Sequence, residues 1–598
     1  MMKETIVKRV DMLREVMRRE RIDAFVFPST DAHNSEYVAD HWKSREWISG
    51  FDGSAGTAVV TMRRAALWTD SRYFLAAEQQ LAGTGYELMR LKVAGTPTIA
   101  EWLGSELADI DGAVVGLDGA VNSYATVEAL TAELRAQGGI TVRVNFDPMR
   151  TIWTDRPAIP LHPVRLQPLA YAGEPAHEKL DRLRRALRGS HCDGMLVSAL
   201  DDIAWLLNLR GSDVHCNPVF VSYLLVDSQR ATLYINKVKL TDEVTAYLAA
   251  EGVDVDAYDR VGEGLARYFE YNILMDADET SALLPRLVDK RTKVVFATSP
   301  VPMMKAVKNE AEIAGFRQAM IRDGVAMVKF LHWLRPAVEA GGQTEMSVDR
   351  KLTALRAEQP RFRDISFDTI AGYQAHGAIV HYEATPETDA PLRPEGLLLL
   401  DSGAQYDDGT TDITRTIALG PITEEQRHVY TLVLKGHIQL ELARFPRGAS
   451  GTQIDALARA ALWREGYNYL HGTGHGVGSC LNVHEGPHQI RMEYRPAPLL
   501  PGMTVTDEPG LYLADRFGVR IENTLLIRES LATEFGEFLE MESLTLCPID
   551  KTPIDRSLLL PEEVEWLDRY HQTVFERLSS YLDDEECAWL AEATSPLA

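Results

Sequence analysis

Four acidic residues in the second half of the chain form two pairs with the spacing of a metal site. In the first pair, Asp401 ends an aliphatic run at residues 397–400 that is typical of a buried strand. Asp412 follows the turn signal Asp-Asp-Gly at residues 407–409. A hairpin closed by this turn would bring the two carboxylates together, although a single acid at a strand end is more often a turn cap.

The second pair of acids repeats this arrangement. Glu508 lies in the sequence VTDEPG at residues 505–510, and Glu522 stands between Ile521 and Leu525, with a turn-prone stretch at residues 514–518 between the two acids. The neighbours of Glu522 predict that it points inward, where a carboxylate is costly unless it is paired or binds a cation. Four acids at close range would repel one another by several kcal/mol without cations.

Two histidines lie in a glycine-rich run between the two acid pairs. His471 and His475 occur with four glycines in the sequence HGTGHGVG, and glycine allows the backbone to approach a centre closely. A lone histidine is more often an ordinary core or surface residue. One imidazole with four carboxylates, however, is a hard, oxygen-rich ligand set, which suits two divalent ions such as manganese, cobalt or zinc.

The elements ahead of this region contain an internal duplication. Two stretches, offset by about 160 residues, each show a helix, a buried strand, a tryptophan-containing helix end, a Gly-Ser loop and two further strands. This order predicts two similar α/β domains. A proline-rich segment at residues 153–175, predicted to be a semi-rigid linker without helix, and the Ser-Pro-Val-Pro break at 299–302 separate the parts. We therefore expect domains at residues 1–160, 161–302 and 303–598.

The composition excludes several classes of protein. The 598 residues include 62 lysines and arginines against 87 aspartates and glutamates, a formal net charge of −25. A basic face for nucleic acid is missing, and no apolar run approaches the roughly 20 residues of a membrane span. The five cysteines are scattered, and the charged N-terminus lacks the apolar core of a signal peptide. We expect a cytoplasmic protein that binds neither nucleic acid nor membrane.

The order of the five candidate ligands resembles the pattern of the pita-bread metallopeptidases, which include methionine aminopeptidase, prolidase and aminopeptidase P. The sequences GTTD at 409–412, YLHGTGHGVG at 469–478, NVHEGP at 482–487 and TDEPG at 506–510 are similar to those of the long, cytosolic, three-domain Xaa-Pro aminopeptidases. WTDSRYF at 68–74 and NLRGSD at 208–213 extend the resemblance over nearly the whole chain. It implies an α/β (α+β) fold with two creatinase-like domains followed by a pita-bread catalytic domain.

The resemblance also implies which residue holds which metal. Asp401 would bind one ion, and Asp412 and Glu522 would bridge both ions. His475 and Glu508 would complete the second site. The cofactor would then be two divalent ions, with manganese as the first choice and cobalt or zinc as alternatives.

Further residues are given catalytic and substrate-binding roles by the same resemblance. Glu508 would hold and pass a proton, and His484 would hydrogen-bond the carbonyl before proline. His381 would face the scissile nitrogen and the prolyl side, and His471 would line the site. The family usually has asparagine where this chain has His376, and we expect His376 to keep the turn and replace the hydrogen bond of the amide. The alternative is that His376 adds a titrating group near the entrance of the site.

Two outlying residues are also assigned on this basis. Arg72 of the first domain would donate hydrogen bonds to peptide carbonyls beyond proline, and its alternative is a surface ion pair with Asp70 or Glu78. A homodimer formed through the third domain is implied, with Trp463 as a contact residue. For Trp463 the alternative is an ordinary place in the core.

The implied activity is the release of an N-terminal residue from peptides with proline in second position. One alternative within the fold is a dipeptidase of the prolidase type, which the length and motifs of the N-terminal domains disfavour. The other is a non-catalytic binding member of the fold. The intact set of ligands and histidines disfavours this second alternative.

Overall fold

The computed structural model describes residues 2–597 and divides them into two compact units. The first unit comprises the residues up to Gln167 together with Glu174–Val301, and the second comprises Pro168–Gly173 and the residues from Pro302 onward. Within residues 2–597, no helix combines the length and the apolar character needed to span a membrane.

The first unit contains two six-stranded sheets of the same topology. The strands of the first sheet, in spatial order, are Tyr86–Arg90, Ala65–Thr69, Thr57–Thr61, Ala24–Phe27, Val114–Leu117 and Thr141–Arg143. Those of the second sheet are Val253–Asp256, Ala231–Ile235, Ser222–Val226, Gly194–Val197, Asn272–Met275 and Lys293–Phe296. Counted along these orders, the second and third pairs of adjacent strands are antiparallel in both sheets, and the other three pairs are parallel. The predicted duplication of an α/β domain is therefore confirmed.

Each face of these sheets is covered by helices. In the first sheet, Phe25 and Phe27 join one hydrophobic cluster with Met17 of the N-terminal helix, while Ala24 and Val26 join another. This alternation follows from the two-residue period of a strand buried on both faces. The α-helices in this unit are Met2–Glu20, Ser44–Ser49, Phe74–Leu81, Ile99–Glu106, Tyr124–Ala136, Met149–Ile152, Ala176–Gly189, Leu200–Leu206, Asp242–Ala250 and Val261–Ala266.

The proline-rich segment differs from the prediction in part. It contains the short strand Arg165–Leu166 and the four-residue helix Leu169–Ala172, although we expected no helix there. Pro168 directly precedes this helix, where the missing N–H of proline costs nothing because first-turn donors have no intrahelical partner. The extended character of the remaining segment agrees with its proline content.

The second unit is built from a long helix, further helices and several small antiparallel sheets. The helix Glu310–Ala340 is preceded by Asn309, whose side chain and that of Glu312 form a reciprocal cap. Besides the short helix Leu169–Ala172, the other α-helices are Val301–Ala306, Glu345–Ala357, Glu424–Glu441, Gly451–Trp463, Pro561–Leu578 and Asp584–Ala593. One sheet contains Ile370–Tyr373, Leu397–Ser402 and Ile413–Ala418; another contains Phe445–Pro446, Gly536–Ser543, Asn523–Thr533 and Thr504–Asp507. Three further pairings involve Phe362–Ile365, Ala404–Tyr406 and Gly409–Thr410; Gly474–Gly476 and Glu485–Ile490; and Gly510–Leu513 and Phe517–Arg520.

Candidate metal centre

The first acid pair is held by two antiparallel strands. Asp401 belongs to the strand Leu397–Ser402, and its register partner on the returning strand is Thr414. Asp412 stands two residues before Thr414, just ahead of the strand Ile413–Ala418. The predicted turn at 407–408 joins these segments, so the hairpin places Asp401 and Asp412 at one end of the same small sheet.

The glycine-rich run positions His475 against the strand that leads to Glu508. His475 lies in the strand Gly474–Gly476, and its backbone N–H donates to Thr506 Oγ1 at 3.1 Å. A side chain at Gly474 would overlap the carbonyl oxygen of Thr506, so only glycine permits this approach. The backbone N–H of Glu508 in turn donates to the Thr473 carbonyl at 2.8 Å.

Glu522 enters from a third direction. It lies in a short break between the strands Phe517–Arg520 and Asn523–Thr533, where it forms an isolated bridge with Thr414. Its Oε2 accepts the hydroxyl of Thr414 at 2.7 Å, and the residue is 1% exposed. The prediction that Glu522 points into the core is therefore confirmed.

These segments bring the predicted ligands to one point. Asp412, His475 and Glu522 each offer a donor atom, and the three atoms lie within 4.8 Å of one another. His475 Nε2 lies 3.4 Å from Asp412 Oδ2 and 3.7 Å from Glu508 Oε1. Asp401 joins the cluster through its electrostatic effect on Asp412 and Glu522.

The acids repel one another strongly because the fold buries them together. Burial raises the pKa of Glu522 well above its usual range, and the charges of Asp412 and Asp401 raise it further. Burial and the charges of Asp401 and Glu508 likewise raise the pKa of Asp412, while His484 lowers it. Such crowding is costly for a folded chain unless cations offset the charge.

The donor atoms fit a pair of divalent ions. Asp401 Oδ1 is buried and accepts no hydrogen bond among the described residues, whereas Oδ2 is occupied by Arg520. His475 Nδ1 lies 2.9 Å from the Gly476 carbonyl, which makes Nδ1 the donor and directs the lone pair of Nε2 toward Asp412 and Glu508. Carboxylate oxygens with one imidazole nitrogen are a hard ligand set of the kind that manganese, cobalt and zinc accept.

Arg520 is a functional residue that the sequence reasoning missed. Its guanidinium is buried, and it donates to Asp401 Oδ2 at 2.6 and 3.1 Å and to the hydroxyl of Tyr512 at 2.7 Å. Tyr512 lies 2.8 Å from His471 Nε2, while His471 Nδ1 lies 2.7 Å from the Gly472 carbonyl. Hydrogen bonds thus run outward from Arg520, to Asp401 on one side and through the Tyr512 hydroxyl to His471 on the other. The sequence offers only the position of Arg520, two residues before Glu522, and Glu522 lies outside the strand that Arg520 ends.

The remaining predicted site residues lie at different distances from the ligands. His484 is half-buried, and its ring meets that of His475 edge to face at 4.4 Å between centroids. His381 is half-buried in a loop of the same unit. Arg72 belongs to the first unit, where it donates to Asp70 at 2.8 and 2.9 Å. Its proposed contact with substrate remains a prediction, and the ion pair is the alternative considered above.

Four segments of the chain match described protein families. Residues 314–529 match metallopeptidase family M24, and residues 537–597 match the C-terminal region of peptidase M24. Residues 9–152 and 155–312 each match the creatinase/prolidase N-terminal domain. The two matches to one domain type agree with the two sheets of identical topology.

Similar proteins cover nearly the full chain. It is 40% identical over 612 residues to a probable Xaa-Pro aminopeptidase P of Botryotinia fuckeliana, covering 99% of this chain and 93% of that relative. It is 39% identical over 616 residues to a protein of the same name from Aspergillus niger, covering 99% of each. A crystal structure of X-prolyl aminopeptidase from Caenorhabditis elegans, described as a cytosolic enzyme with a di-nuclear active site, matches with a TM-score of 0.94. The identity to that chain is 35%, over 99% of this chain and 100% of that one.

Proposed function

The chain belongs to metallopeptidase family M24, and from this premise we propose how its residues perform the reaction of an Xaa-Pro aminopeptidase. It is a metallo-aminopeptidase, a hydrolase that releases the N-terminal residue from peptides with proline in second position. The observation that carries this conclusion is the convergence of Asp412, His475 and Glu522 on one point. The chain also aligns over 99% of its length with relatives that are named as probable Xaa-Pro aminopeptidases P.

Two divalent metal ions are the cofactor, and manganese is the proposed native metal, with cobalt or zinc as alternatives. Asp401 would hold one ion, and Asp412 and Glu522 would bridge the pair. His475 and Glu508 would complete the second site. When bound, the ions supply Lewis acidity and bring the pKa of a coordinated water near neutrality.

The chain's own residues then move protons and orient the substrate. Glu508 is half-buried at the edge of the cluster, which suits it to hold a proton and pass it onward. The nitrogen of proline is a tertiary amide nitrogen, so its expulsion requires a nearby proton donor. His484, packed on His475, is placed to hydrogen-bond the carbonyl before proline, and His381 is proposed to face the scissile nitrogen. Arg520 holds Asp401 through Oδ2, which leaves Oδ1 as the oxygen that would bind a metal ion.

The remaining expectations are also part of this proposal. We place the domains at 1–160, 161–302 and 303–598, and the protein in the cytoplasm as a homodimer joined through the third domain. Trp463 supports the dimer, since its indole is 42% exposed and donates only to Asn468 at 2.9 Å. The alternative that Trp463 belongs to the core is therefore wrong, because its side chain is exposed while the neighbouring Ala461 and Leu462 are buried. Large exposed aromatics are typical of contact surfaces.

Peptide cleavage distinguishes this function from its alternatives. The manganese-loaded protein should release arginine from Arg-Pro-Pro and should cleave this tripeptide in preference to the dipeptide Arg-Pro. A strict preference for the dipeptide would instead indicate a prolidase-type enzyme. Peptide binding without hydrolysis would indicate a non-catalytic member of the fold.

A further inference from the structure

One buried carboxylate outside the metal centre joins the two ends of the segment that carries His381. Glu345 lies in the first turn of the helix Glu345–Ala357 and is 0% exposed. Its Oε1 accepts the backbone N–H of Tyr373 at 2.8 Å, and its Oε2 accepts that of Ala390 at 3.0 Å. Residues 373 and 390 therefore meet at the same side chain.

Two side chains inside this segment are bonded to the same carboxylate. The hydroxyl of Tyr382 donates to Glu345 Oε2 at 2.8 Å. His376 Nδ1 lies 2.9 and 3.0 Å from the two carboxylate oxygens, and its ring packs on that of Tyr382 at 4.5 Å between centroids. Because Tyr382 directly follows His381, these bonds fix the backbone on one side of His381.

The other side of His381 is tied to the metal centre. Arg520 Nη2 approaches the Val380 carbonyl at 3.4 Å, and the same nitrogen donates to Asp401 Oδ2 at 2.6 Å. His381 thus lies between Val380, which is linked to the ligand Asp401, and Tyr382, which is linked to Glu345. Two independent anchors define where its backbone runs.

The buried carboxylate of Glu345 is satisfied by hydrogen-bond donors from the segment that it holds. A buried carboxylate is costly unless its lone pairs are satisfied, and here four donors and the N-terminal end of a 13-residue helix supply that stabilisation. An apolar residue of similar size would fill the space but would accept none of the four bonds. The four donors come from positions 28 to 45 residues away in the chain, all in one segment.

We propose that Glu345 is a positioning residue for the aminopeptidase reaction, acting through His376 and Tyr382 to hold His381 against the scissile bond. The inference rests on the proposed function, because His381 receives its role there. In this chain His376 supplies a donor at a position where the family usually has asparagine. An asparagine amide can donate a similar hydrogen bond, so the link between residue 376 and Glu345 does not require an imidazole ring.

The first test is steady-state kinetics of the manganese-loaded full chain on Arg-Pro-Pro. Glu345→Gln should lower kcat by about 10²-fold with KM changed less than about threefold, because a small misplacement of a catalytic group costs about that much. In this variant the amide N–H group of the introduced glutamine would face hydrogen-bond donors where Glu345 presents a carboxylate oxygen. The manganese content should stay at the wild-type value.

Milder variants test the same idea without removing the carboxylate. Tyr382→Phe deletes one bond and should lower kcat by about fivefold, as should His376→Ala, which corresponds to about 1 kcal/mol. His376→Asn should restore kcat to within about twofold of wild type. Tyr430→Phe is the matched control, since it deletes a buried hydroxyl bond of 2.9 Å to the Asp550 carbonyl and should leave kcat unchanged.

A double variant decides whether Glu345 acts through His381. Glu345→Gln combined with His381→Ala should be no slower than His381→Ala alone. The inference is overturned if the losses of kcat in the two single variants multiply in the double variant. It is also overturned if Glu345→Gln changes only KM or manganese content, or if Tyr382→Phe lowers kcat no more than Tyr430→Phe does. If Glu345→Gln does not fold, the Tyr382 and His376 variants decide by the same criteria. A wild-type enzyme that leaves Arg-Pro-Pro intact would overturn the proposed function instead.

Discussion

Replacing Glu522 with glutamine removes one of four negative charges that the fold gathers around the metal centre. The side chain keeps its size, and the Thr414 hydroxyl can still donate to the amide oxygen. An amide, however, cannot bridge two dications, so the variant should lose turnover while its fold stays intact. Its bound manganese should also decrease.

The size of the electrostatic effect follows from the geometry. Donor atoms of Asp412 and Glu522 lie within 4.8 Å. Two charges at that distance repel by about 3.5 kcal/mol at an effective dielectric constant of about 20. Metal-free Glu522→Gln should therefore be more stable than metal-free wild type by up to about 3 kcal/mol. With metal at about 100 times its Kd, each wild-type site should gain about 2.7 kcal/mol, and the variant should gain less.

The sign of the pH dependence is fixed by the raised pKa of Glu522. In the metal-free protein the folded state keeps the proton of Glu522 at pH values where the unfolded chain has lost it. The contribution of Glu522 to the free energy of unfolding is therefore fully present below the ordinary glutamate pKa. It is lost as the pH rises through the raised pKa of Glu522 in the folded state. The advantage of Glu522→Gln should therefore be small near pH 4 and largest at alkaline pH.

Three measurements check these statements. Urea unfolding of metal-stripped protein gives the stability at each pH, metal analysis gives the manganese content, and Arg-Pro-Pro cleavage gives the activity. Glu540→Gln is a control for charge removal, because Glu540 lies at the surface beside Arg444. Near-wild-type activity of Glu522→Gln at saturating manganese would refute the ligand assignment. A metal-free variant less stable than wild type at pH 8 would refute the predicted repulsion between the carboxylates.

The other expected outcomes concern the substrate and the assembly. His484→Ala should lower kcat by about 10²–10³-fold with unchanged metal content, as for loss of a transition-state hydrogen bond; loss of metal would make His484 a ligand instead. Trp463→Glu should convert the dimer to a folded monomer in sedimentation, and a monomeric wild type contradicts the proposed interface. Arg72→Ala should raise KM for tripeptides and longer peptides about tenfold, or about 1.4 kcal/mol, and affect dipeptides differently. Equal kinetics across peptide lengths would leave Arg72 as a partner of Asp70 alone.

The sequence predicts much of this site because the proposed ligands stand next to strong local signals. Asp401 ends an all-leucine run, Asp412 follows a turn signal, and His475 lies among glycines, so local patterns place all three. The duplicated domains are predictable for a similar reason, since their order of helix, strand and Gly-Ser loop repeats. The strands observed at Ala24–Phe27 and Gly194–Val197 occupy equivalent positions in the two sheets.

The partners of these residues could not be predicted in the same way. Arg520 acts on Asp401, 119 positions away, and reaches His471 only through Tyr512 on the neighbouring strand. Glu345 gives no local sign of its role, because an acid at a helix start is explained by the helix dipole alone. Such contacts depend on how separate elements pack, which local periodicity does not encode.

Two metal ions in this centre are proposed to drive hydrolysis ahead of proline. Arginine release from Arg-Pro-Pro, measured while metal-stripped protein is titrated with manganese, tests it most directly. Activity should be absent at the start, rise with added manganese and reach its plateau at two equivalents per chain. Full activity in the stripped protein, a plateau at one equivalent, or no arginine release at any manganese concentration would contradict it.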